Sequence, residues 1–461
     1  MPRREQSKKP RGRSHHLLEG SVIKSIFKIS IPVIFANILQ TLYQLIDTFW
    51  VGRLGEAAVA AVSLSFPILF FIISFATGFT MAGAILVAQY NGKGDEKGVS
   101  LSTGQTLSLV TLISLVMSTA GYFLSGPLLS LLTSDPAVLP NATSYLQISF
   151  LTVVAMFIYM VFQSSLRGVG EVKFPMIVIL ATVILNFFLD PLFMFGWKFI
   201  PAMGVAGVAW ATFVTASLSA LIGLFSLWLG THGIKLRMGY LKLKAPWMKQ
   251  LFRLGVPSSL EFSSRSFGMF AMIFVVSTLG TTVVAAYGIG ARMLSFIIIP
   301  AVGFSIGTTA LVGNNIGAKQ YERADKILGT GMKIGFWTLL ALGAVIFIFA
   351  EPINTFFVPG EDKVIALSTT FIRWMALTFG LIGMQMAIMG ALKAAGKTTQ
   401  AMMQAVFQAG ALIIISSVLV FVLKIGEMGI WAAYPISNIV SLGLVLYFYF
   451  KRKEWLYKRI V

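Results

Sequence analysis

Residues 78–92, GFTMAGAILVAQYNG, return as residues 303–317, GFSIGTTALVGNNIG, with Gly92 and Gly317 closing the two stretches. The offset of 225 holds beyond them. FKISIPVIF from Phe27 matches FRLGVPSSL from Phe252, setting Pro32 against Pro257. Leu54-Gly55 pairs with Leu279-Gly280, and Ala60-Ala61 with Ala285-Ala286. Further on, SLRGVGEVKFPM from Ser165 resembles ALKAAGKTTQAM from Ala391, at an offset of 226. Apolar helices resemble one another by composition, but shared Pro, Gly and Asn at one offset require a duplicated unit. The chain therefore consists of two halves built to one plan.

Composition says what kind of unit it is. Of 461 residues, 57% are hydrophobic and 11% charged, with mean hydropathy +0.84. Soluble domains carry roughly 25% charged residues, so a soluble enzyme and a disordered chain are both excluded. Zero cysteines remove disulfides, thiolate metal sites and cysteine nucleophiles. The histidines, His15, His16 and His232, lie outside the apolar runs, which argues against histidine metal catalysis. A spanning helix needs about 20 apolar residues, and twelve such segments begin near residues 31, 57, 102, 142, 175, 203, 255, 285, 334, 366, 401 and 429. The fold class is an all-α integral membrane protein, with twelve transmembrane helices in two pseudo-symmetric six-helix lobes. The expected boundaries are a basic tail at 1–30, an N-lobe at 31–230, a basic linker at 231–254, a C-lobe at 255–450 and a basic tail at 451–461. Both halves begin on the same side, so the repeat is parallel, an architecture suited to lobes that rock around a central cavity.

The formal net charge of +19 would suggest nucleic acid in a soluble protein. Here it reports topology. Of the 36 Lys and Arg, 29 fall in the two tails and in alternate connections, five on the opposite side, and Arg265 and Arg292 within spans. Basic residues favour cytoplasmic loops, so both termini are expected in the cytoplasm of a plasma-membrane protein, with no nucleic acid as partner. The tail Met1–Arg13 lacks the apolar core of a signal peptide and reads as a basic arm that touches anionic lipid.

An acid at the bilayer centre costs about 2.5–3.5 kcal/mol on insertion scales, so each needs a reason. Asp47 lies six residues before Arg53, and Asp190 eight before Lys198, on helices that both run outward. At 1.5 Å per residue the two carboxylates come within about 3 Å of one depth. Asn186, four before Asp190, shares its face, and Gln40, seven before Asp47, shares the other. Tyr145 and Gln163 add polar groups on the fourth helix. Two carboxylates in a dehydrated pocket hold a proton between them or take up a small cation with Asn and Thr oxygens. Alternatively Asp190, followed by Pro191, simply ends its helix. The counterparts of Asp47 and Asp190 in the second half are Met272 and Ser416, so the acids belong to one lobe. Glu261, the third buried acid, precedes Arg265 by four residues, a favourable ion-pair spacing, and reads equally as a structural pair or a coupling group. Pro32 removes a hydrogen bond from helix one, as a static kink or as a hinge that moves Asp47.

The stretch Pro32, Gln40, Asp47-Thr-Phe-Trp-Val-Gly52, with Leu54-Gly55 and Ala60-Ala61, resembles the first two helices of the multidrug and toxic compound extrusion (MATE) transporters. GAILVAQYNG, ALVGNNIGA and the paired loops SLRGVGEVKFP and ALKAAGKTT are similar to that family as well, and the likeness runs from about Leu17 to Phe448. The resemblance implies antiport of organic cations against H⁺ or Na⁺. In the DinF-like branch it assigns Asp47, Asn186, Asp190 and Thr212 to a coupling-ion site, Tyr145 to its support and Pro32 to a bending proline. The NorM-like branch stresses a second-lobe site, which Glu261 matches. The tenth helix, from about Ala366 to Ala391, holds no Asp or Glu, so that site is incomplete.

The resulting expectation is a non-enzymatic exporter of lipophilic, mostly cationic drugs, coupled at Asp47 and Asp190 to H⁺ or Na⁺. Na⁺ would sit at Asp47, Asn186, Asp190 and Thr212, with Gln40, Tyr145 and Gln163 around the cavity. No cofactor is expected beyond the coupling ion, no partner beyond substrate and lipid, and the protein is expected to act as a monomer. A lipid-linked oligosaccharide flippase of the same superfamily is the alternative. It would need a strongly cationic cavity, whereas only Arg265 and Arg292 lie within the apolar segments.

Overall fold

A polypeptide in hydrocarbon must satisfy its own backbone, which leaves helices as the answer for these apolar runs. The computed structural model describes residues 15–450 and 460–461. After a short α1 (His15–Leu18), the first half comprises α2 (Val22–Gly52), α3 (Glu56–Lys93), α4 (Glu96–Ser130), α5 (Leu139–Gly168), α6 (Lys173–Phe195) and α7 (Val205–Leu229). The second comprises α8 (Ala245–Ser277), α9 (Thr281–Gly317), α10 (Tyr321–Phe357), α11 (Asp362–Ala376), α12 (Phe379–Ala394), α13 (Thr398–Ser417) and α14 (Glu427–Phe450). Among the described residues eleven spans are long and apolar enough to cross a membrane, and α11 with α12 makes a twelfth, bent by 49°. The basic arm Met1–Arg13 and the basic residues Lys451–Arg459 lie outside the described residues.

Three features differ from expectation. The helices start earlier than their apolar cores: α2 takes in Lys24 and Lys28, α8 takes in Lys249 and Arg253, and α10 takes in Lys326 and Lys333. The first helix of each half thus begins about ten residues before the apolar segment expected there, at Val22 and at Ala245. The linker is also pinned. Gln105 on α4 donates to the carbonyls of Tyr240 and Lys242, both at 2.7 Å, and accepts from the Lys244 amide at 2.8 Å. Finally, the tenth span breaks at Leu377-Thr378, where the Thr378 hydroxyl donates to the Met375 carbonyl at 3.1 Å and accepts from Asn438 Nδ2 at 2.9 Å.

The repeat reappears in the backbone. Gly55 and Gly280, 225 residues apart, precede α3 and α9 with φ of 96° and 102°. That conformation is open to glycine and strained for residues with a Cβ. The halves are also interlocked. The first helix of each packs on the second of the other, α2 on α9 and α8 on α3, while α2 also meets α6 and α8 meets α13. The α3 and α9 helices cross at their basic ends, where a Cβ on Gly92 would land on the Asn314 carbonyl and one on Gly317 on the Gln89 carbonyl. Side chains stitch the crossing: Asn91 Nδ2 donates to Asn314 Oδ1 at 2.6 Å, Gln89 Nε2 to the Ala394 carbonyl at 2.8 Å, and Asn314 Nδ2 to the Gly168 carbonyl at 2.9 Å.

Candidate functional site

The acids of the first half converge as the depth arithmetic requires. Asp190 is fully buried, and α6 runs on through Pro191 to Phe195, so the acid does not end its helix. Asn186, equally buried, donates Nδ2 to Asp190 Oδ1 at 3.0 Å across one helical turn. Asp47, on α2, faces Asp190, Asn186 and Thr212. Tyr145 on α5 stands close enough to feel both acids. The group is sealed by apolar clusters at two levels. Val51, Ala58, Met194, Val205 and Val208 pack with Trp50 and Tyr145 toward the ends away from the basic loops. Ala36, Ile179 and Val183 pack with Tyr43 and Ile46 on the other side.

Three acceptor oxygens in this enclosure have no partner: Asp47 Oδ1, Asn186 Oδ1 and Asp190 Oδ2. A buried polar atom without a hydrogen bond is costly, and two ionised carboxylates cannot satisfy each other, since both only accept. A proton makes one of them a donor, and a small hard cation satisfies all three oxygens. Among the described residues no three His, Cys, Asp or Glu side chains converge, so the acids act as a pair backed by amide and hydroxyl oxygens.

The other predicted residues fall in different places. Gln40 is exposed, with no hydrogen bond to the carboxylates. Gln163 is buried five residues from the basic end of α5, beside Tyr159, whose hydroxyl donates to the Pro175 carbonyl at 2.9 Å. At 1.5 Å per residue that lies about 27 Å along α5 from Tyr145. Pro32 is buried within an unbroken α2. Tyr43 is a residue the sequence reading passed over. One turn from Asp47, its hydroxyl hydrogen-bonds Thr215 Oγ1 at 2.7 Å and lies near both acids. Its i, i−4 spacing from Asp47 was the available signal.

The equivalent place in the second half is neutral. Met272 and Ser416 are both fully buried and meet, the Ser416 hydroxyl donating to Met272 Sδ at 3.3 Å. Glu261 lies elsewhere in that half, on α8, and its Oε1 accepts from Arg265 at 3.5 Å and Lys393 at 3.2 Å. Lys393 corrects the charge count made from sequence. One of the 29 basic residues counted in tails and connections, it lies in the last turn of α12, 6% exposed. From Arg265 a chain of amides follows. Its guanidinium donates to Gln404 at 3.3 Å, Gln404 to Gln408 at 2.8 Å, Gln408 to Asn438 at 2.9 Å, and Asn438 to Thr378 at the break of the tenth span. Each amide presents its oxygen toward the cation and its NH₂ away, a polarity fixed by Arg265, which can only donate.

Comparison with known proteins places this geometry in context. The MatE family model matches residues 32–192 and 257–419, once per half. The "Probable multidrug resistance protein YoeA" of Bacillus subtilis is 28% identical over 446 residues, covering 94% of this chain and 95% of that protein. A protein named "FAD transporter" in Shewanella oneidensis is 24% identical over 446 residues, covering 95% of this chain and 96% of its own length. Among solved structures, a MATE in the straight conformation superposes with a TM-score of 0.90 at 24% identity, covering 98% of this chain and 100% of that one.

Proposed function

The chain belongs to the MatE family of transporters, and from that premise we propose that it exports lipophilic, mostly cationic drugs in exchange for H⁺ or Na⁺ bound at Asp47 and Asp190. The observation that carries this reading is the set of three partnerless oxygens, Asp47 Oδ1, Asn186 Oδ1 and Asp190 Oδ2, in one buried enclosure. With both carboxylates ionised, the enclosure attracts an organic cation into the space between the lobes. A proton or Na⁺ taking those oxygens removes the attraction and releases the drug. Drug and coupling ion therefore weaken each other's binding, by the same factor in each direction. The sign follows directly. Drug affinity falls as pH drops or as Na⁺ rises, since each bound cation cancels negative charge at the site.

The basic ends of the helices face the cytoplasm of the cell membrane in this reading, following the bias of Lys and Arg. The α3–α9 crossing is then the inner closure of the pathway, and the protein works as a monomer. Thr212 and Tyr43 support the ion site, and α2 carries Asp47 as it moves. The names of the relatives, multidrug resistance and export proteins among them, support drug efflux as the activity.

The test is reconstitution in liposomes with a fluorescent cationic dye under separate pH and Na⁺ gradients. Dye should move under one gradient, and the movement should be lost in Asp47→Asn and Asp190→Asn. Folded protein that moves no dye under either gradient would refute the reading and favour the flippase alternative. Unchanged coupling in Asp47→Asn would remove the acids from the mechanism.

A further inference from the structure

We propose that Ile460 and Val461 form a releasable strap across the α3–α9 crossing, holding the pathway shut at its basic end until they are displaced. This rests on the reading of that crossing as a closure and on nothing at the ion site. Ile460 reaches both halves at once. Its N–H donates to Gln89 Oε1 at 3.0 Å, while Gln89 Nε2 donates to the Ala394 carbonyl at 2.8 Å. Gln89 is fully buried on α3, three residues before Gly92, so both ends of its amide are committed at the crossing itself. The Ile460 side chain fills the turn after α12, where a Cβ on Gly396 would strike it and would meet Leu254 of α8 at 3.6 Å. Ile460 and Val461 also pack against the apolar cluster built mainly from the first half, which holds Ile85, Leu86 and Leu166.

The duplication shows that this seat is made to be filled. Gly170 and Gly396, 226 residues apart, close the same turn with φ of 81° and 75°. The Gly170 N–H donates to the Arg167 carbonyl and the Glu171 N–H to the Leu166 carbonyl. Gly396 and Lys397 repeat both bonds, to Lys393 and Leu392. A Cβ on Gly170 would strike Leu17, as one on Gly396 would strike Ile460. Asn315 Nδ2 of α9 donates to the Leu17 carbonyl at 2.9 Å. Each half thus takes one residue from outside its spans into its glycine turn, and that residue bonds to the second long helix of the other half. The two straps differ in their hold. Leu17 is fully buried, and Arg323 of α10 fixes the carbonyls of Glu19 and Gly20 beyond it, both at 2.9 Å. Ile460 is only half-buried, held by Gln89. The second strap is therefore the one that lifts when α3 and α9 part.

Ile460→Asp puts a charge into the apolar seat and should lift the strap. With spin labels at Lys93→Cys and Lys319→Cys, both exposed at the basic ends of α3 and α9, the parent should give one short distance. Ile460→Asp should raise a longer population about tenfold. Ile460→Val keeps the N–H and most of the side chain, and should match the parent. The converse is to forbid release. The chain has no cysteine, so Leu254→Cys with Ile460→Cys can be joined by a short bis-maleimide. The joined protein should move dye about tenfold more slowly than the same protein unjoined. An unchanged distance in Ile460→Asp, or full transport in the joined protein, would overturn the strap. Distances are read without drug or gradient. A crossing opened by Ile460→Asp in a protein that moves no dye would therefore sink the export reading and spare this one. Dye movement that depends on Asp47, with a crossing indifferent to Ile460→Asp, would do the reverse.

Discussion

Gly92→Ala tests the α3–α9 crossing directly. The new Cβ would land on the Asn314 carbonyl oxygen, with the carbonyl carbon at 2.6 Å and the Cα at 2.8 Å. Carbon atoms rest at about 3.5–4.0 Å, so α9 must retreat by about 1 Å, and backbone offers no rotamer that could relieve the clash. Overpacking of this kind costs about 1–3 kcal/mol. The retreat also stretches the Asn91–Asn314 bond of 2.6 Å, which joins α3 to α9. At about 0.5–1.5 kcal/mol for that bond, the crossing loses roughly 1.5–4.5 kcal/mol in all. Two kcal/mol alone shifts a two-state population about 30-fold. The assay is a spin-label distance between Lys93→Cys and Lys319→Cys, both exposed at the ends of the crossing helices. The parent should give one short distance, and Gly92→Ala a second, longer population with slower dye transport. Gly288→Ala is the control: on the same α9, its Cβ meets nothing within 4 Å, so it should leave both readouts alone. An unchanged distance distribution in Gly92→Ala, with unchanged transport, would refute the crossing as the closure that must open.

Three further outcomes are expected. Lys393→Met leaves Glu261 with only the 3.5 Å contact to Arg265, and stranding a buried charge costs about 3–5 kcal/mol, seen as a lower melting midpoint. Adding Glu261→Gln should recover most of that loss, whereas simple additivity of the two changes would show that the pair does not interact. Ser416→Ala, at the place equivalent to Asp190, should cost less than about 1.5 kcal/mol and leave ion dependence intact, while a lost gradient response there would contradict the one-lobe site. Tyr43→Phe removes the partner of Thr215 and should raise the coupling-ion concentration at half-maximal transport about two- to tenfold without abolishing transport; an unchanged ion curve would separate Tyr43 from the site.

The parts of this molecule that were legible in the sequence are those written in local marks. Gly55 and Gly280 occupy equivalent turns with matching φ, and the repeat found from them carries through to the meeting of Met272 with Ser416. The convergence of Asp47 with Asp190 followed from rise per residue and two landmarks at the helix ends. What stayed hidden has the opposite character. Lys393 sits one residue from the end of α12, and hydropathy cannot tell a basic residue in a final helical turn from one in a loop. The amide chain from Gln404 through Gln408 to Asn438 carries no charge, and its step from α13 to α14 joins residues 30 apart. The 49° break in the tenth span has no proline at Leu377-Thr378 to announce it.

The duplication makes the contrast between the halves an argument about coupling. One fold, used twice, offers two equivalent interiors, and at the equivalent position one holds Asp47 with Asp190 and the other Met272 with Ser416. The buried acid of the second half, among the described residues, is already answered from within the chain. Glu261 meets two basic side chains, Lys393 and Arg265, so a cation approaching from outside would encounter an excess of positive charge. In the first half the balance is reversed, with two carboxylates and three oxygens left without donors. In the proposed mechanism a coupling ion is therefore drawn to one lobe only. Removing Lys393 is the substitution that would begin to equalise the two halves, by making Glu261 receptive to an external cation. If transport in Lys393→Met acquired a second, separable ion dependence that vanished on adding Glu261→Gln, the self-neutralised acid would be identified as what confines the proposed coupling to the first lobe.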